Sequence, residues 1–445
     1  MPVMAKIDVR SRRIWVPALI FLLAAGVRLW SLSYPPTPYW DEQYYVFDAS
    51  VYLGGGIGQP VGTPPAVKIA DEGTWVHPPA GKWMIALLGV GPFGNRPLGW
   101  RVPSAVFGIA GVVLLYYLAL ELWASVWWAG LSALLLSTDG LHIVQSRISM
   151  LDIFLSTFIT AGMFLLVLDR RHMPEPGGRR TPAWVTRFFG SWYRLGAGAA
   201  FGAAVATKWS GAFALTLGAI LGAVWALRGA GAAGRTRWAT VGTIAASFAL
   251  APLLVYLISY GAFFYQHGFA VRDFLTLQFR MLQYQQTHLK VQPQNSDPWT
   301  WPILLHPIQY TSLTRGTSTS RIVALGNPAL WWGFIVLLPL ALVQIVRRRA
   351  WQDAVAFGGY AAMFLPWFFV GRSQFIFYML PAVPFMALGV AATLRRFPAR
   401  WVMPSTVLFA GAAVACAAAF APVWTGWWVS NSWSRALGWL PGWRP

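Results

Sequence analysis

Apolar residues run through this chain in blocks of about twenty, and its polar residues gather between the blocks. The blocks fall near 13–33, 100–121, 124–140, 147–167, 192–208, 209–227, 238–258, 329–346, 351–370, 374–395 and 402–424. A block of that length crosses the hydrocarbon core of a bilayer as one helix. The pattern therefore predicts about eleven transmembrane helices. Barrel strands would be about ten residues long and would alternate polar with apolar, which these blocks do not. Composition agrees: of 445 residues 57% are hydrophobic and 11% charged, where soluble domains carry about a quarter charged residues. The expected fold class is an all-α polytopic membrane protein, with 1–445 forming a single transmembrane domain.

The start, "MAKIDVRSRRIWVPALIFLLAAGVRLW", is basic and then apolar as far as Arg28. A cleaved signal would have a shorter apolar core and a small-residue cleavage site, so the expectation is an uncleaved first span. The net charge of +20 is not a nucleic-acid signal. Nineteen of the 34 basic residues sit in the short segments 6–13, 170–194, 228–237, 347–349 and 395–400. These alternate along the chain and mark the cytoplasmic side, which puts the N-terminus inside. Two long connections, 34–99 and 259–328, then fall outside. Both are rich in Trp, Tyr, Pro and Gln, as expected of short helices at a membrane interface. The lone cysteine, Cys416, permits no intrachain disulfide.

Acids are few, fourteen in all, yet Asp41 and Glu42 stand side by side in "YWDEQYY". Such a pair is either solvated or capping a helix, or it is partly desolvated and tuned as a base or paired with a cation. The stretch "WVHPPAGKWMIALLG" sets His77 and Lys82 around a rigid Pro78-Pro79. It is either a turn into a short interfacial or re-entrant helix, or a contact for phosphate. Arg28, Arg101, Arg147, Lys208 and Arg372 are all expected at the outer membrane level. A lone membrane arginine often snorkels. Five cations converging on one face point to an anionic lipid ligand, with a lipid phosphate the natural candidate. Some of them must neutralise acids instead: Arg28 or Arg101 with Glu42, and Arg147 with Asp152. The six histidines show no pairing that resembles a metal site, and no nucleotide-binding fingerprint is present.

Taken in order, "WDEQYYV", "VHPPAGKWMIAL", "GWRVPSAVFG", "DGLHIVQSRISMLDIF", "TKWSGAF", "LGNPALWW" and "RSQFIFYMLPAVPF" resemble the protein O-mannosyltransferases, which use polyprenyl or dolichyl phosphate mannose and belong to the GT-C superfamily. The resemblance runs from about residue 14 to residue 390. Eukaryotic members carry a β-trefoil domain in the second large external loop; 259–328 is too short to hold one, so the chain looks like the shorter, actinobacterial-type bacterial form. Where eukaryotic members often have an acid two residues before the histidine of His-Pro-Pro, this chain has Trp75.

The resemblance implies an inverting enzyme of the plasma membrane, with its site on the extracytoplasmic face. Mannose would pass from polyprenyl phosphate mannose to Ser or Thr hydroxyls of a protein acceptor, with the secretion translocon as the expected place of encounter. Asp41 is then the candidate base, with Glu42 orienting it or pairing with Arg101 or Arg28. Arg101, Arg147 and Arg372 are the first candidates for the donor phosphate, with Lys208, Lys82 and His77 behind them. Arg28 and Asp152 are candidates for supporting ion pairs. The family acts without a bound metal or other cofactor. Two alternatives remain open from sequence: a GT-C transferase for another lipid-phosphate sugar or another acceptor, and a lipid-linked sugar transporter. The transporter is disfavoured by the lack of internal repeats and of broken helices near the midplane.

Overall fold

The computed structural model describes residues 9–53, 76–172, 183–230, 237–287 and 293–443. Trp75, His288 and the basic residues Lys6, Arg179, Arg180 and Arg235 lie outside the described residues. Every apolar block coincides with helix. Among the described residues, seven helices are long and apolar enough to cross a membrane, fewer than the eleven expected: Pro97–Trp123, Leu151–Arg171, Gly211–Gly229, Arg237–Ser259, Pro328–Arg348, Ile376–Leu394 and Ala399–Thr425. The other blocks form shorter or interrupted helices, among them Val126–Ser137, Trp192–Thr207 and Trp351–Phe364.

Ile376–Leu394 is buried along its whole length, which explains why it is apolar all round rather than on one stripe. Leu151–Arg171 is the other axis of the bundle, packed along Trp192–Thr207 and Pro97–Trp123. Small residues permit that closeness: a Cβ on Gly162 would come within 2.7 Å of the Phe201 ring.

Charge is sorted to opposite helix ends. Arg170, Arg171, Arg228, Arg347 and Arg348 close their helices, and Arg395 follows Ile376–Leu394. Asp41, Arg101, Asp152, Lys208 and Arg372 all lie at or just beyond the other ends of helices that run alternately up and down.

The short block after His-Pro-Pro is a helix, Ala80–Phe93, too short to span and widened to a π turn at Ala86–Val90. It crosses the start of Pro97–Trp123 at backbone contact. A Cβ on Gly89 would lie 2.2 Å from the Gly99 carbonyl oxygen.

One feature departs from the all-α expectation. The second long connection holds a hairpin, β1 (Ile308–Arg315) and β2 (Ser318–Ala324), and β3 (Val429–Ser430) pairs with β2 on its far side. The strands meet through the two-residue loop Gly316-Thr317, where Gly316 has φ +54°. Such loops need a left-handed residue, and glycine adopts that conformation without strain.

The Gly89 crossing gives a direct test. Gly89→Ala must push two backbones apart, and overpacking of this kind costs about 1–3 kcal/mol. The expected result is a thermal midpoint lower by several degrees in detergent. An unchanged midpoint would mean that the helices do not cross so closely.

Candidate active site

The site is organised around a bidentate ion pair. Arg101 Nε donates to Glu42 Oε1 at 2.9 Å and Nη2 donates to Oε2 at 2.8 Å, with both side chains fully buried. The remaining guanidinium protons go to backbone carbonyls: Leu32 at 3.3 Å, Pro35 at 2.7 Å and Thr37 at 3.2 Å. All five donors of the guanidinium are thus used. Glu42 also accepts from the Ser149 N–H at 3.0 Å. This one pair ties the start of Pro97–Trp123, the turn before Leu151–Arg171 and the loop 32–42 together. The sequence left Glu42 with either Arg101 or Arg28; the partner is Arg101. The expectation that Arg101 holds phosphate is corrected, because it has no donor left to offer.

Asp41 is held by its neighbour. Trp40 has φ +54°, a left-handed conformation that non-glycine residues rarely adopt and that surrounding packing must enforce. Its ring lies 5.3 Å from Tyr310 and edge-on to Phe375 at 6.2 Å. Asp41 then begins the helix Glu42–Tyr52 without capping it through its side chain, and its carboxylate has no hydrogen-bond partner among the described residues. Burial raises its pKa to about 6; Lys208 and Arg372 oppose that rise and Asp152 adds to it. The acid is thus partly desolvated, within the field of two cations, and unpartnered.

Those cations flank one cavity of about 240 Å³. Lys208 sits in the turn between Trp192–Thr207 and Gly211–Ala230. Its Nζ donates to both oxygens of Asp152 at 2.9 Å and lies 5.0 Å from the centre of the Tyr378 ring. Arg372 is half-buried and donates to the Tyr378 hydroxyl at 2.9 Å. His77, Trp209, Ser210, Gln285 and Tyr378 complete the polar lining. Burial, and then the nearby charges of Lys208, Arg372 and Lys82, hold the His77 imidazolium pKa well below its usual value. The ring is therefore neutral.

Three further expectations are corrected. Arg147 does not pair with Asp152. Its guanidinium caps the C-terminal end of the first helix, Val9–Leu29, donating to the carbonyls of Val27, Arg28, Trp30 and Ser31 at 2.6–3.3 Å. Arg28 forms no ion pair with Glu42; it donates to His142 Nδ1 at 2.8 Å and to the Ser146 hydroxyl at 3.2 Å. Lys82 is fully buried and paired with Asp48 at 2.8 Å, so it stands behind the cavity wall rather than in the cavity. Of the six expected phosphate contacts, only Lys208, Arg372 and His77 line the cavity. Lys208 is also the partner of Asp152, the one expected acid support that the structure retains.

Sequence reading missed Asp48, Tyr378 and Tyr310. Asp48 stands two helical turns after Asp41, a spacing that puts both on one face, and that signal was available. Tyr378 lies within "RSQFIFYMLPAVPF", but that stretch singled out only Arg372. Tyr310 comes from β1, and its hydroxyl accepts from Gln145 Nε2 at 2.7 Å; nothing local in the sequence links those positions.

Comparison with known proteins follows the same outline. A family model described as dolichyl-phosphate-mannose-protein mannosyltransferase matches residues 18–269. A second, described as the C-terminal four TMM region of protein-O-mannosyltransferase, matches residues 270–443. The chain is 30% identical to the polyprenol-phosphate-mannose–protein mannosyltransferase of Mycolicibacterium smegmatis, over 96% of this chain and 92% of that protein. It is 29% identical to the protein of the same name from Corynebacterium glutamicum, over 96% and 93%. Among solved structures, the S. cerevisiae protein O-mannosyltransferase Pmt1-Pmt2 complex bound to the sugar donor superposes with a TM-score of 0.80 at 14% identity, covering 98% of this chain and 93% of that one. ArnT from Cupriavidus metallidurans bound to undecaprenyl phosphate gives 0.58 at 15%, covering 92% and 64%. The fold is that of the GT-C transferases, and with family-model matches running from residue 18 to residue 443, the chain belongs to the dolichyl-phosphate-mannose-protein mannosyltransferase family.

Proposed function

We propose that this multi-pass membrane protein transfers mannose from polyprenyl phosphate mannose to Ser or Thr hydroxyls of polypeptides; the names of its relatives describe, for those proteins, mannosyl transfer from polyprenol phosphate mannose to protein. The observation that carries the reading is the unpartnered Asp41 carboxylate within the field of Lys208 and Arg372, which with His77 line one cavity. A phosphate monoanion fits beside these cations, and a carboxylate in a desolvated setting fits a general base.

In this mechanism Lys208 and Arg372 hold the donor phosphate and His77 donates a hydrogen bond without adding charge. Asp41 takes the proton of the acceptor hydroxyl as its oxygen attacks the anomeric carbon. The bond from that carbon to the phosphate oxygen breaks, and the polyprenyl phosphate leaves with the electron pair. Charge grows on the phosphate as the bond opens, so the fixed cations favour the transition state over the ground state. A single displacement inverts the configuration at the sugar. Glu42 and Arg101 position the loop that carries Asp41, and the Lys82–Asp48 pair supports the cavity from behind. The alternating basic segments favour a cytoplasmic N-terminus, with the reaction on the extracytoplasmic face of the plasma membrane. There the acceptor arrives as an extended chain, as it leaves the secretion translocon.

The central test uses purified protein, polyprenyl phosphate mannose labelled in the sugar, and a Ser/Thr-rich peptide. Asp41→Asn is expected to lower transfer by about 10²–10⁴-fold while leaving donor binding intact. Equal transfer by both forms would remove Asp41 from the role of base. A wild-type protein that moves another lipid-phosphate sugar but not mannose would replace this reading with the sister-enzyme one.

A pH profile checks the same assignment independently. Asp41 acts as a base only when ionised, and its pKa is raised to about 6. Transfer should be level above that value and fall as pH drops through it, approaching tenfold per unit. A profile flat down to the ordinary carboxylate range would contradict the assignment.

Arg372→Gln should weaken donor use by roughly 10- to 100-fold in kcat/KM, the range for losing a charged hydrogen bond. Arg372 is half-buried and pairs with a hydroxyl rather than an acid, so its loss strands no buried charge. An unchanged donor kcat/KM would show that the phosphate lies elsewhere.

A further inference from the structure

β1 forms one edge of the three-stranded sheet. β2 pairs along one side of it, and no strand pairs along the other among the described residues. The direction of its backbone groups follows from the turn. In a two-residue hairpin loop the flanking residues, here Arg315 and Ser318, exchange hydrogen bonds. Alternation then turns Leu313 toward β2 and turns the N–H and C=O groups of Ser312 and Thr314 away from it. The Leu313 carbonyl also accepts from the Thr319 hydroxyl of β2 at 3.1 Å, which agrees with that direction. Residues 312–315 are exposed.

Exposed edges recruit other strands, and proteins blunt them with Pro, Lys, bulges or very short strands. β1 has eight residues and neither Pro nor Lys in "IQYTSLTR". Its one charged residue, Arg315, lies over the Trp428 ring at 4.8 Å. The bulge falls between Gln309 and Thr311, so it leaves the stretch 312–315 regular.

The other end of the same strand enters the site. Tyr310 is buried and its ring packs on Tyr39 at 6.2 Å and on Trp40 at 5.3 Å, next to Asp41. At the rise of a β-strand, about 3.4 Å per residue, Thr314 stands roughly 14 Å from Tyr310. The Tyr310 end of the strand adjoins the loop that carries Asp41.

We propose that the β1 edge is the docking surface for the acceptor, which adds to the sheet as an extended strand. Its backbone pairs with the outward groups of Ser312 and Thr314, and a hydroxyl-bearing residue further along is delivered to Asp41. This rests on the reading of the protein as a protein mannosyltransferase and specifies how it takes its acceptor. Strand addition draws its affinity from main-chain hydrogen bonds. It therefore accepts many sequences but only extended, unfolded ones, which suits an enzyme whose target is any exposed Ser or Thr.

The experiment measures binding apart from transfer. A fluorescein-labelled Ser/Thr/Ala peptide of about ten residues, long enough to lie along a typical strand, is titrated with detergent-purified full-length protein and followed by anisotropy. Ser312→Pro and Thr314→Pro remove outward N–H donors at positions where an edge strand tolerates proline. Each is expected to weaken peptide binding roughly fivefold to tenfold, the equivalent of one peptide hydrogen bond, with the donor KM unchanged. Peptides N-methylated at alternate amides test the same contacts on unaltered protein, and one of the two alternating sets should bind more weakly than the other. Equal binding by both sets overturns the proposal even if a proline variant misfolds. So does peptide affinity that survives the proline changes while those changes dissociate a dimer, since the edge would then join two copies of this chain. A wild-type protein that binds the peptide through this edge yet transfers no mannose would retain the docking surface and reject the mannosyl-transfer reading.

Discussion

The site depends on one buried ion pair. Glu42 and Arg101 meet in bidentate geometry with both side chains inaccessible to solvent. Withdrawing two charges from water costs several kcal/mol each, and attraction alone offsets that only when the remaining donors and acceptors are also satisfied. Here they are satisfied, by three loop carbonyls and a backbone N–H. The consequence is mechanical. The loop leaving the first helix cannot swing without stranding a guanidinium, so Trp40 stays in its left-handed conformation and Asp41 keeps its place. Removing either partner would leave the other buried and unpaired, which typically costs about 3–5 kcal/mol.

With the pair saturated, the contrast between the site's acids becomes meaningful. Asp152 is held by both oxygens on Lys208, Asp48 is held by Lys82, and Glu42 is held by Arg101. Asp41 alone among these has no partner among the described residues. A fully paired acid is a poor base, because its charge is already stabilised. An acid with neither partner nor neighbouring cations would simply stay protonated. Asp41 lies between these limits: it is desolvated enough for its pKa to rise to about 6, and near enough to Lys208 and Arg372 to ionise at neutral pH. With three acids paired, the fourth is the one the proposed mechanism assigns as base.

The fold was largely legible, because hydrocarbon imposes a length and a composition that few other settings share. Each apolar block became helix. The candidate residues were also legible as a set, since ionisable groups at the ends of apolar helices are rarely incidental. Their roles were not. Arg147 and Arg101 look alike in sequence, yet one caps carbonyls of the first helix and the other holds an acid. Both answers depend on where residues 27–42 run, which no local pattern encodes. Asp48 escaped notice because its partner Lys82 is 34 positions away in the chain. The hairpin carried a signal in "TRGTS", a glycine turn between alternating residues, but the surrounding connection was read only for its interfacial aromatics.

The hairpin also bears on how a helical bundle can handle a polypeptide substrate. Transmembrane helices satisfy their own backbone groups and present side chains alone, so they have little with which to grip an extended chain of arbitrary sequence. A strand edge has the opposite character: it displays backbone donors and acceptors and is indifferent to the side chains it meets. Such an edge cannot face hydrocarbon, where unpaired backbone groups are too costly, so it must stand beyond the helix ends. That is where β1 lies, joined through Tyr310 and Trp40 to the loop that the Glu42–Arg101 pair holds still. The same constraint that makes the spans self-satisfied thus places the proposed acceptor surface outside them, beside the loop that the ion pair holds next to the proposed base.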